Sequence, residues 1–217
     1  TAPPAESGSV ADPHALTDSR PVNDPNGVIP PTTTDQQAVE NAVPRGPDGR
    51  PLPHPDPTTP DSWVDVINDG GHTVPGRNTN CPDVSLAALA TWYGNPQAAA
   101  SIANPGNLET NSTARQEAVL GAPFHHNGTG PNALADIEAN LLAAGPGSAA
   151  QILSTLNDGN VHSWIAVNHN GTIIWIDAQN RAVSTTTPLY QNDVNGVWSI
   201  TLDANANPIT NPGTTTA

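Results

Sequence analysis

Apolar residues in the middle of the chain recur at the three-to-four-residue spacing of amphipathic helices. The first such segment has Pro82 in its first turn, Asp83 near the positive end of the helix dipole and Gly94 as a stop, which is typical of a complete helix. The second segment ends at Gly145, another stop signal. The segments that predict helices are PDVSLAALATWYG (82–94), ALADIEANLLAAG (133–145) and GSAAQILSTLNDG (147–159).

The pattern then changes to alternation of apolar and polar residues, the period of a β-strand. Residues 161–179, VHSWIAVNHNGTIIWIDAQ, alternate on both sides of Asn170-Gly171, a pair that favours a two-residue hairpin turn. Residues 194–210 predict a further strand or hairpin. Because helices come first and antiparallel strands follow, the sequence predicts an α+β fold.

The predicted hairpin places His162 and Asp177 on one face of the sheet. With Asn170-Gly171 as the turn, Asp177 is the diagonal neighbour of His162; with His169-Asn170 as the turn, the two residues are directly opposite. Either register gives a Cβ separation of about 5–8 Å. An imidazole backed by a carboxylate is half of a Cys-His-Asp catalytic unit. The alternative is that the two residues simply begin and end their strands.

The single cysteine of the chain, Cys81, stands at the start of the first predicted helix. Pro82 suits the first helical position because its missing N–H would have no partner there, so we expect Cys81 at the N-cap. Unpaired N–H groups and the helix dipole favour an anion at that point, including a thiolate. Two interpretations stay open on these residues alone: a buried small hydrophobe and a catalytic nucleophile.

The first 60 residues contain 14 of the 24 prolines, which favours extended chain over packed elements. We expect residues 1–60 to form a Pro-rich arm or linker with at most one short helix, at 32–43, capped by Thr34 or Asp35. Such an arm either covers the cleft like a propeptide or serves as a spacer. A catalytic domain is expected over residues 61–205, followed by a flexible tail, 206–217.

Composition excludes several classes of function. The formal net charge is −14, which repels phosphate backbones and anionic lipids, so we expect no nucleic-acid and no membrane-surface partner. No stretch approaches the roughly 20 apolar residues that span a bilayer. One cysteine excludes an internal disulfide and CxxC zinc sites, and no metal or other cofactor is expected. The Ala/Thr/Pro-rich, Lys-free composition is typical of a GC-rich bacterial source.

The adjacent pair His125-His126 is a weaker candidate site. These side chains are able to line a cleft or bind a metal, but neighbouring residues point apart and no third ligand is suitably spaced. We therefore expect a solvated loop there.

Two segments resemble the papain-fold toxin domains of bacterial polymorphic toxins, the Tox-PL group. Residues 63–94, WVDVINDGGHTVPGRNTNCPDVSLAALATWYG, are similar to the family's nucleophile segment, in which an Arg and an Asn precede the Cys and an Ala/Leu-rich helix ends at a Gly. Residues 161–179 are similar to the family's second half, in which a His and an aromatic residue open one strand and Asp-x-Gln closes the next. The similarity covers roughly residues 61–180.

The resemblance implies a papain-like fold, with the cysteine helix packed on an antiparallel sheet that carries the His and the Asp. It makes Cys81 the nucleophile, His162 the base and acid, and Asp177 the residue that orients the imidazole. Asn80 and the backbone N–H of Cys81 become the candidates for stabilising an oxyanion.

Further residues are assigned by the same resemblance. Gln179 and Trp164 would support the site, while Arg77 matches the family's Arg, for which a structural ion pair is the simpler interpretation. The chain has Val84 where many relatives carry a second Cys, and Ala178 in place of the usual Pro or Gly. A Gln upstream of the nucleophile, the oxyanion donor of papain-like enzymes, is missing.

The function that the resemblance implies is a secreted or cell-surface bacterial thiol enzyme. Glutamine deamidation of a protein is the first expectation and proteolysis the second. The alternatives are a catalytically silent papain-like scaffold that binds a protein, and a cell-wall amidase of the NlpC/P60 type, in which His125 or His126 would stand behind His162. The expected partners are a protein substrate and an immunity or chaperone protein, and the expected state is a monomer.

Overall fold

The computed structural model describes residues 13–209. Within that range the α-helices are α1 (Pro13–Ser19), α2 (Thr33–Ala42), α3 (Trp63–Val66), α4 (Cys81–Trp92), α5 (Ser112–Leu120) and α6 (Gly130–Ala144). The strands are β1 (Val28–Ile29), β2 (Ser101–Ile102), β3 (His125–Thr129), β4 (Ala149–Leu156), β5 (Val161–His169), β6 (Thr172–Asp177), β7 (Ala182–Ser184) and β8 (Val194–Leu202).

A six-stranded antiparallel sheet with the order β3-β8-β4-β5-β6-β7 forms the centre of the molecule. Helix α4 packs on one face, where its apolar side chains share a core with Ile165 and Ile176. Helix α6 packs on the opposite face against Trp164 and Trp175. Helices on an antiparallel sheet confirm the predicted α+β class.

The hairpin of β5 and β6 turns at Asn170-Gly171, the first of the two predicted registers. His169 pairs with Thr172 and Ile165 with Ile176. Asn170 and Gly171 have φ angles of 54° and 91°, and positive φ at both central residues is the mark of the tight turn that matches strand twist. This register makes Asp177 the diagonal neighbour of His162.

The predicted helix at 147–159 is wrong, because most of this segment forms β4. The strand lies between β5 and β8, and residues 149–152 are completely buried. A central strand that is covered on both faces has a near-continuous apolar run instead of alternation. Periodicity alone does not separate such a run from a buried helix.

Residues 13–60 contain two α-helices where the sequence predicted at most one, and they are not simply an extended arm. Leu16 of α1 and Val39 of α2 are buried in the same core as α4. The N-cap of α2 is Thr32, which forms a capping box with Asp35, so the predicted cap was misplaced. The apolar side chains of this segment are what anchor it. That the catalytic domain spans residues 61–205 remains a prediction.

The predicted tail begins with packed residues. Ala206 is fully buried, and Pro208 pairs with Leu202 at the end of β8. Residues 1–12 and 210–217 lie outside the described range. Within residues 13–209, the helices are too short or too polar to cross a membrane.

Candidate active site

Cys81 is the first residue of α4. The sequence predicted Cys81 at the N-cap, which is the position before the first helical residue. Asn80 is the N-cap residue, and its carbonyl oxygen accepts the first helical hydrogen bonds from Asp83 and Val84. Pro82 therefore occupies the second helical position, where a missing N–H is also harmless. Cys81 is only 9% exposed, but it lines a cleft of about 520 Å³. The thiol thus lies at the positive end of a buried helix.

His162 and Asp177 form a buried pair, as their predicted positions on one face of the sheet require. His162 Nε2 lies 2.9 Å from Asp177 Oδ2. The imidazole is 9% exposed and the carboxylate residue 1%. In this geometry the carboxylate fixes the ring orientation and leaves the other ring nitrogen free to serve the thiol.

Helix α4 packs on one face of the sheet, whereas His162 and Asp177 share the strand positions of the opposite face with Trp164 and Trp175. The helix start and the His162–Asp177 pair come together where β6 ends. The β5–β6 ladder begins at the Ile165–Ile176 pair, so the first residues of β5 have no partner in β6. The chain turns away after Asp177, whose Oδ1 accepts a hydrogen bond from the backbone N–H of Gln179 (3.0 Å). Because β6 does not pair with the start of β5, His162 is left at the edge of the cleft.

Electrostatics couple the three groups. Burial lowers the pKa of His162, but hydrogen bonds and charge interactions with Asp177 and Cys81 outweigh it and raise the pKa to about 10. Burial raises the pKa of Asp177, yet the bonds from His162, Tyr190 and Asn180 hold that pKa below its ordinary value. At neutral pH the pair is therefore an imidazolium beside a carboxylate.

Two of the residues that hold Asp177 were not predicted from the sequence. Asn180 Nδ2 donates a hydrogen bond to Asp177 Oδ2 (2.6 Å), and the Tyr190 hydroxyl donates to the same oxygen. Asn180 follows Asp177 by three residues, a spacing that suits a local turn, so its contact had a sequence signal. Tyr190 lies in a polar loop after β7 without strand periodicity, and no local pattern indicates its role.

Gln179 lies against the start of α4. One terminal atom of its carboxamide is 3.1 Å from the backbone nitrogen of Cys81, 3.2 Å from that of Asn80 and 3.1 Å from Asn80 Oδ1. As an oxygen, this atom accepts from both backbone N–H groups; as a nitrogen, it donates to Asn80 Oδ1. In either orientation Gln179 links the chain after β6 to the helix that carries Cys81.

The side chain of Asn80 is placed behind the cleft wall. The residue is fully buried, and its amide nitrogen donates to Asn68 Oδ1 (3.0 Å) and to the carbonyl of Ala100 (2.8 Å). This arrangement differs from the expected position at the oxyanion, because both amide hydrogens are engaged elsewhere. Trp164 is also buried, and it packs against Tyr190 with ring centroids 5.5 Å apart.

Ion pairs hold the start of α4 in place. Asp83 is completely buried, and its carboxylate accepts hydrogen bonds from Arg20, Arg115 and the backbone N–H of Ala100. Burial raises the pKa of Asp83, but the two guanidinium groups outweigh this effect and lower it. Arg77 forms the structural ion pair that was considered for it: its Nη2 lies 2.9 Å from Asp35 Oδ2.

His125 and His126 do not join the site. They lie on β3, where His126 stacks against Trp198 with ring centroids 4.9 Å apart, and not in a loop as expected. Asp177 is the residue behind His162, which separates this site from the amidase arrangement with a second His. Among residues 13–209, no cluster of three or more His, Cys, Asp or Glu is placed to hold a metal ion.

The cleft wall combines amide, hydroxyl and aliphatic side chains. The described residues that line it include no Asp, Glu, Lys or Arg, although the chain has 20 acidic residues. They are His72, Asn78, Thr79, Cys81, Leu108, Leu156, Asn160, Val161, His162, Gln179, Asn180 and Tyr190. A polar wall without carboxylate, Lys or Arg side chains suits an uncharged amide group.

The fold and the site define a papain-like domain: a thiol at a helix start, facing an imidazole and a carboxylate on an antiparallel sheet. Residues 79–182 match the family model described as papain fold toxin 1, glutamine deamidase, and this span is a papain-fold toxin domain. The family acts on amide bonds, so the match supports an amide-hydrolysing enzyme. Comparison with curated proteins and with solved structures found no match.

Proposed function

We propose that the protein is a cysteine-dependent deamidase that converts glutamine side chains of a protein substrate to glutamate. The observation that carries the proposal is the buried His162–Asp177 pair, 2.9 Å apart and coupled to Cys81 at the start of α4. A silent binding scaffold has no need of a charged imidazole and carboxylate in this arrangement, since burying charges costs free energy.

The first half of the reaction forms an acyl-enzyme. The Cys81 thiolate attacks the carboxamide carbon, and the electron pair of the C=O bond moves to oxygen. His162 then donates its proton to the nitrogen as the C–N bond breaks and ammonia leaves. A thioester between Cys81 and the substrate side chain remains, and Asp177 keeps the imidazole oriented throughout.

The second half releases glutamate. The now neutral His162 takes a proton from water, the resulting hydroxide equivalent attacks the thioester carbon, and the C–S bond breaks. The immediate products are a glutamic acid side chain, the Cys81 thiolate and the imidazolium. The acid then loses its proton to solvent, where the released ammonia takes one up, so protons and electrons balance over the cycle. The carboxamide of Gln179 is the donor that we assign to the oxyanion, because Gln179 lines the cleft together with Cys81.

The cleft wall supports a carboxamide as the substrate group. Its described residues include no Asp, Glu, Lys or Arg side chain to pair with or repel a charged group, which favours an uncharged amide over a charged side chain. The glutamate that forms is an anion next to a thiolate in a protein of net charge −14, and this repulsion favours product release.

The match to the toxin family supports the biological part of the proposal. We infer that the protein acts after secretion, on a protein of another cell, and that an immunity or chaperone protein controls it. It is expected to act as a monomer.

Mass spectrometry of candidate substrate proteins tests the proposed reaction. Incubation with the wild-type protein is expected to raise the mass of one glutamine-containing peptide by about 1 Da with the backbone intact. Cys81→Ala is expected to leave the same peptide unchanged. New peptide termini would instead show proteolysis, and modification by both proteins would contradict a thiol mechanism.

A further inference from the structure

Tyr190 reaches the candidate site from outside the two segments that form it. It belongs to the loop between β7 and β8, beyond the matched span 79–182. Its side chain nevertheless lines the cleft beside His162. The chemistry assigned above gives no role to this residue.

The hydroxyl of Tyr190 shares a single carboxylate oxygen with the imidazole. Asp177 Oδ2 accepts a hydrogen bond from Tyr190, from His162 Nε2 at 2.9 Å and from Asn180 Nδ2 at 2.6 Å. Three donors therefore compete for the negative charge of one oxygen. The other oxygen, Oδ1, is occupied by the backbone N–H of Gln179.

The ring of Tyr190 also restrains the imidazole directly. It meets the His162 ring edge-on, with centroids 5.3 Å apart and an interplanar angle of 77°. On another side it contacts Trp164 at 5.5 Å and 75°. Edge-to-face aromatic contacts of this kind fix ring planes, so Tyr190 restrains both partners of the His162–Asp177 hydrogen bond.

The backbone holds Tyr190 in an uncommon conformation. Its φ angle is 59°, in the left-handed region that non-glycine residues rarely adopt. Its carbonyl oxygen accepts hydrogen bonds from the N–H groups of Asp193 (2.7 Å) and Val194 (2.9 Å), which fix the turn into β8. Such strain persists where the surrounding structure determines it, often at functional sites.

The proton of the Tyr190 hydroxyl stays in place over the working range of pH. Burial, the charge of Asp177 and the hydrogen bond to Asp177 all raise the pKa of the phenol. Tyr190 is thus a permanent donor, and the titratable groups that interact with His162 are Asp177 and Cys81.

We propose that Tyr190 is a positioning residue, which fixes the Asp177 carboxylate and limits the share of its charge that reaches His162. The inference rests on the proposed function, because it concerns the same imidazole and thiol. With the hydroxyl removed, Asp177 Oδ2 bonds His162 more strongly, which stabilises the imidazolium and raises the pH at which His162 loses its proton.

The test compares Tyr190→Phe with Tyr93→Phe. These are the two tyrosines of the chain, and Tyr93 also donates a hydrogen bond, to the carbonyl of Asp203 (2.9 Å). NMR titration of the His162 ring, assigned with a His162→Gln variant, reads the effect without any substrate. Tyr190→Phe is expected to shift the titration upward by on the order of half a pH unit, and Tyr93→Phe to leave it unchanged.

Alkylation of the single cysteine by iodoacetamide gives a second readout. The alkylation rate is expected to change at the pH where His162 loses its proton. In Tyr190→Phe this pH is expected to rise together with the NMR titration. In an Asp177→Asn background, Tyr190→Phe is expected to cause no further shift, because the shared carboxylate is gone. An unchanged or lowered titration in folded Tyr190→Phe, or an equal shift in the Asp177→Asn background, overturns the proposal. Because no substrate is used, these outcomes are independent of whether glutamine is deamidated.

Discussion

The carboxamide of Gln179 lies 3.1 Å from the backbone nitrogen of Cys81 and so joins the chain after β6 to the start of α4. Gln179 also donates its own backbone N–H to Asp177. One residue therefore contacts both the helix that carries the nucleophile and the carboxylate that orients the base. This link explains how two segments about 80 residues apart form one site.

Replacement of Gln179 by Ala is expected to slow turnover by on the order of 100-fold or more, because an oxyanion donor is lost. The rate of Cys81 alkylation is expected to change little, since the thiol and imidazole remain. The matched control is Asn160→Ala, which removes another amide from the cleft wall. Equal losses of turnover in the two variants would argue against an oxyanion role for Gln179.

His162→Gln is expected to slow alkylation of Cys81 by iodoacetamide at pH 6–7 by on the order of tenfold, because the imidazolium that stabilises the thiolate is lost. The chain has one cysteine, so the reaction reports on this thiol alone. His72→Gln removes an exposed imidazole from the same cleft and serves as the control. A similar rate in wild type and His162→Gln would show that the two groups are not coupled.

The pH dependence of stability follows from the pKa of His162, which rises from 6.5 to about 10 on folding. The stabilisation is fully present below pH 6.5, where both states are protonated, and it is lost as the pH rises through the folded pKa. The difference in the free energy of unfolding between wild type and His162→Gln is therefore expected to shrink between pH 6.5 and 10. Urea denaturation across this range measures it, and a difference that grows with pH would contradict the assigned charge state.

Arg20→Met is expected to lower the free energy of unfolding by about 3 kcal/mol, because it leaves part of the buried Asp83 charge without its partner. Arg50→Met is the control: its pair with Asp48 is exposed, and exposed pairs contribute little. Urea denaturation measures both variants. Equal stability of the two variants would contradict a stabilising role for the buried Arg20–Asp83 ion pair.

The sequence predicts the elements whose signals are local. Helix α4 and the β5–β6 hairpin carry their own stops and turn residues, and the side-chain parity of the hairpin places His162 and Asp177 together. Strand β4 was missed because a strand buried on both faces lacks alternation. Tyr190 was missed for a different reason: its contact with Asp177 depends on tertiary structure, since nothing in its loop indicates where the ring points.

The packing of residues 13–60 also depends on contacts that no local sequence pattern indicates. The prolines of this segment predicted extended chain, but Leu16 and Val39 are buried by contacts with residues far along the chain. Composition does not report such contacts. The ion pair of Arg20 with Asp83, 63 residues later, is likewise a property of the fold and not of the local sequence.

Cys81, with His162 and Asp177, is proposed to hydrolyse a glutamine carboxamide. The most direct measurement is mass spectrometry of a substrate protein incubated in H₂¹⁸O with wild type or with Cys81→Ala. Wild type is predicted to give one glutamate with an intact backbone and a mass gain of about 3 Da, since the new oxygen comes from water in the thioester hydrolysis. Cys81→Ala is predicted to give no change. The same labelled glutamate from Cys81→Ala would contradict catalysis by the thiol.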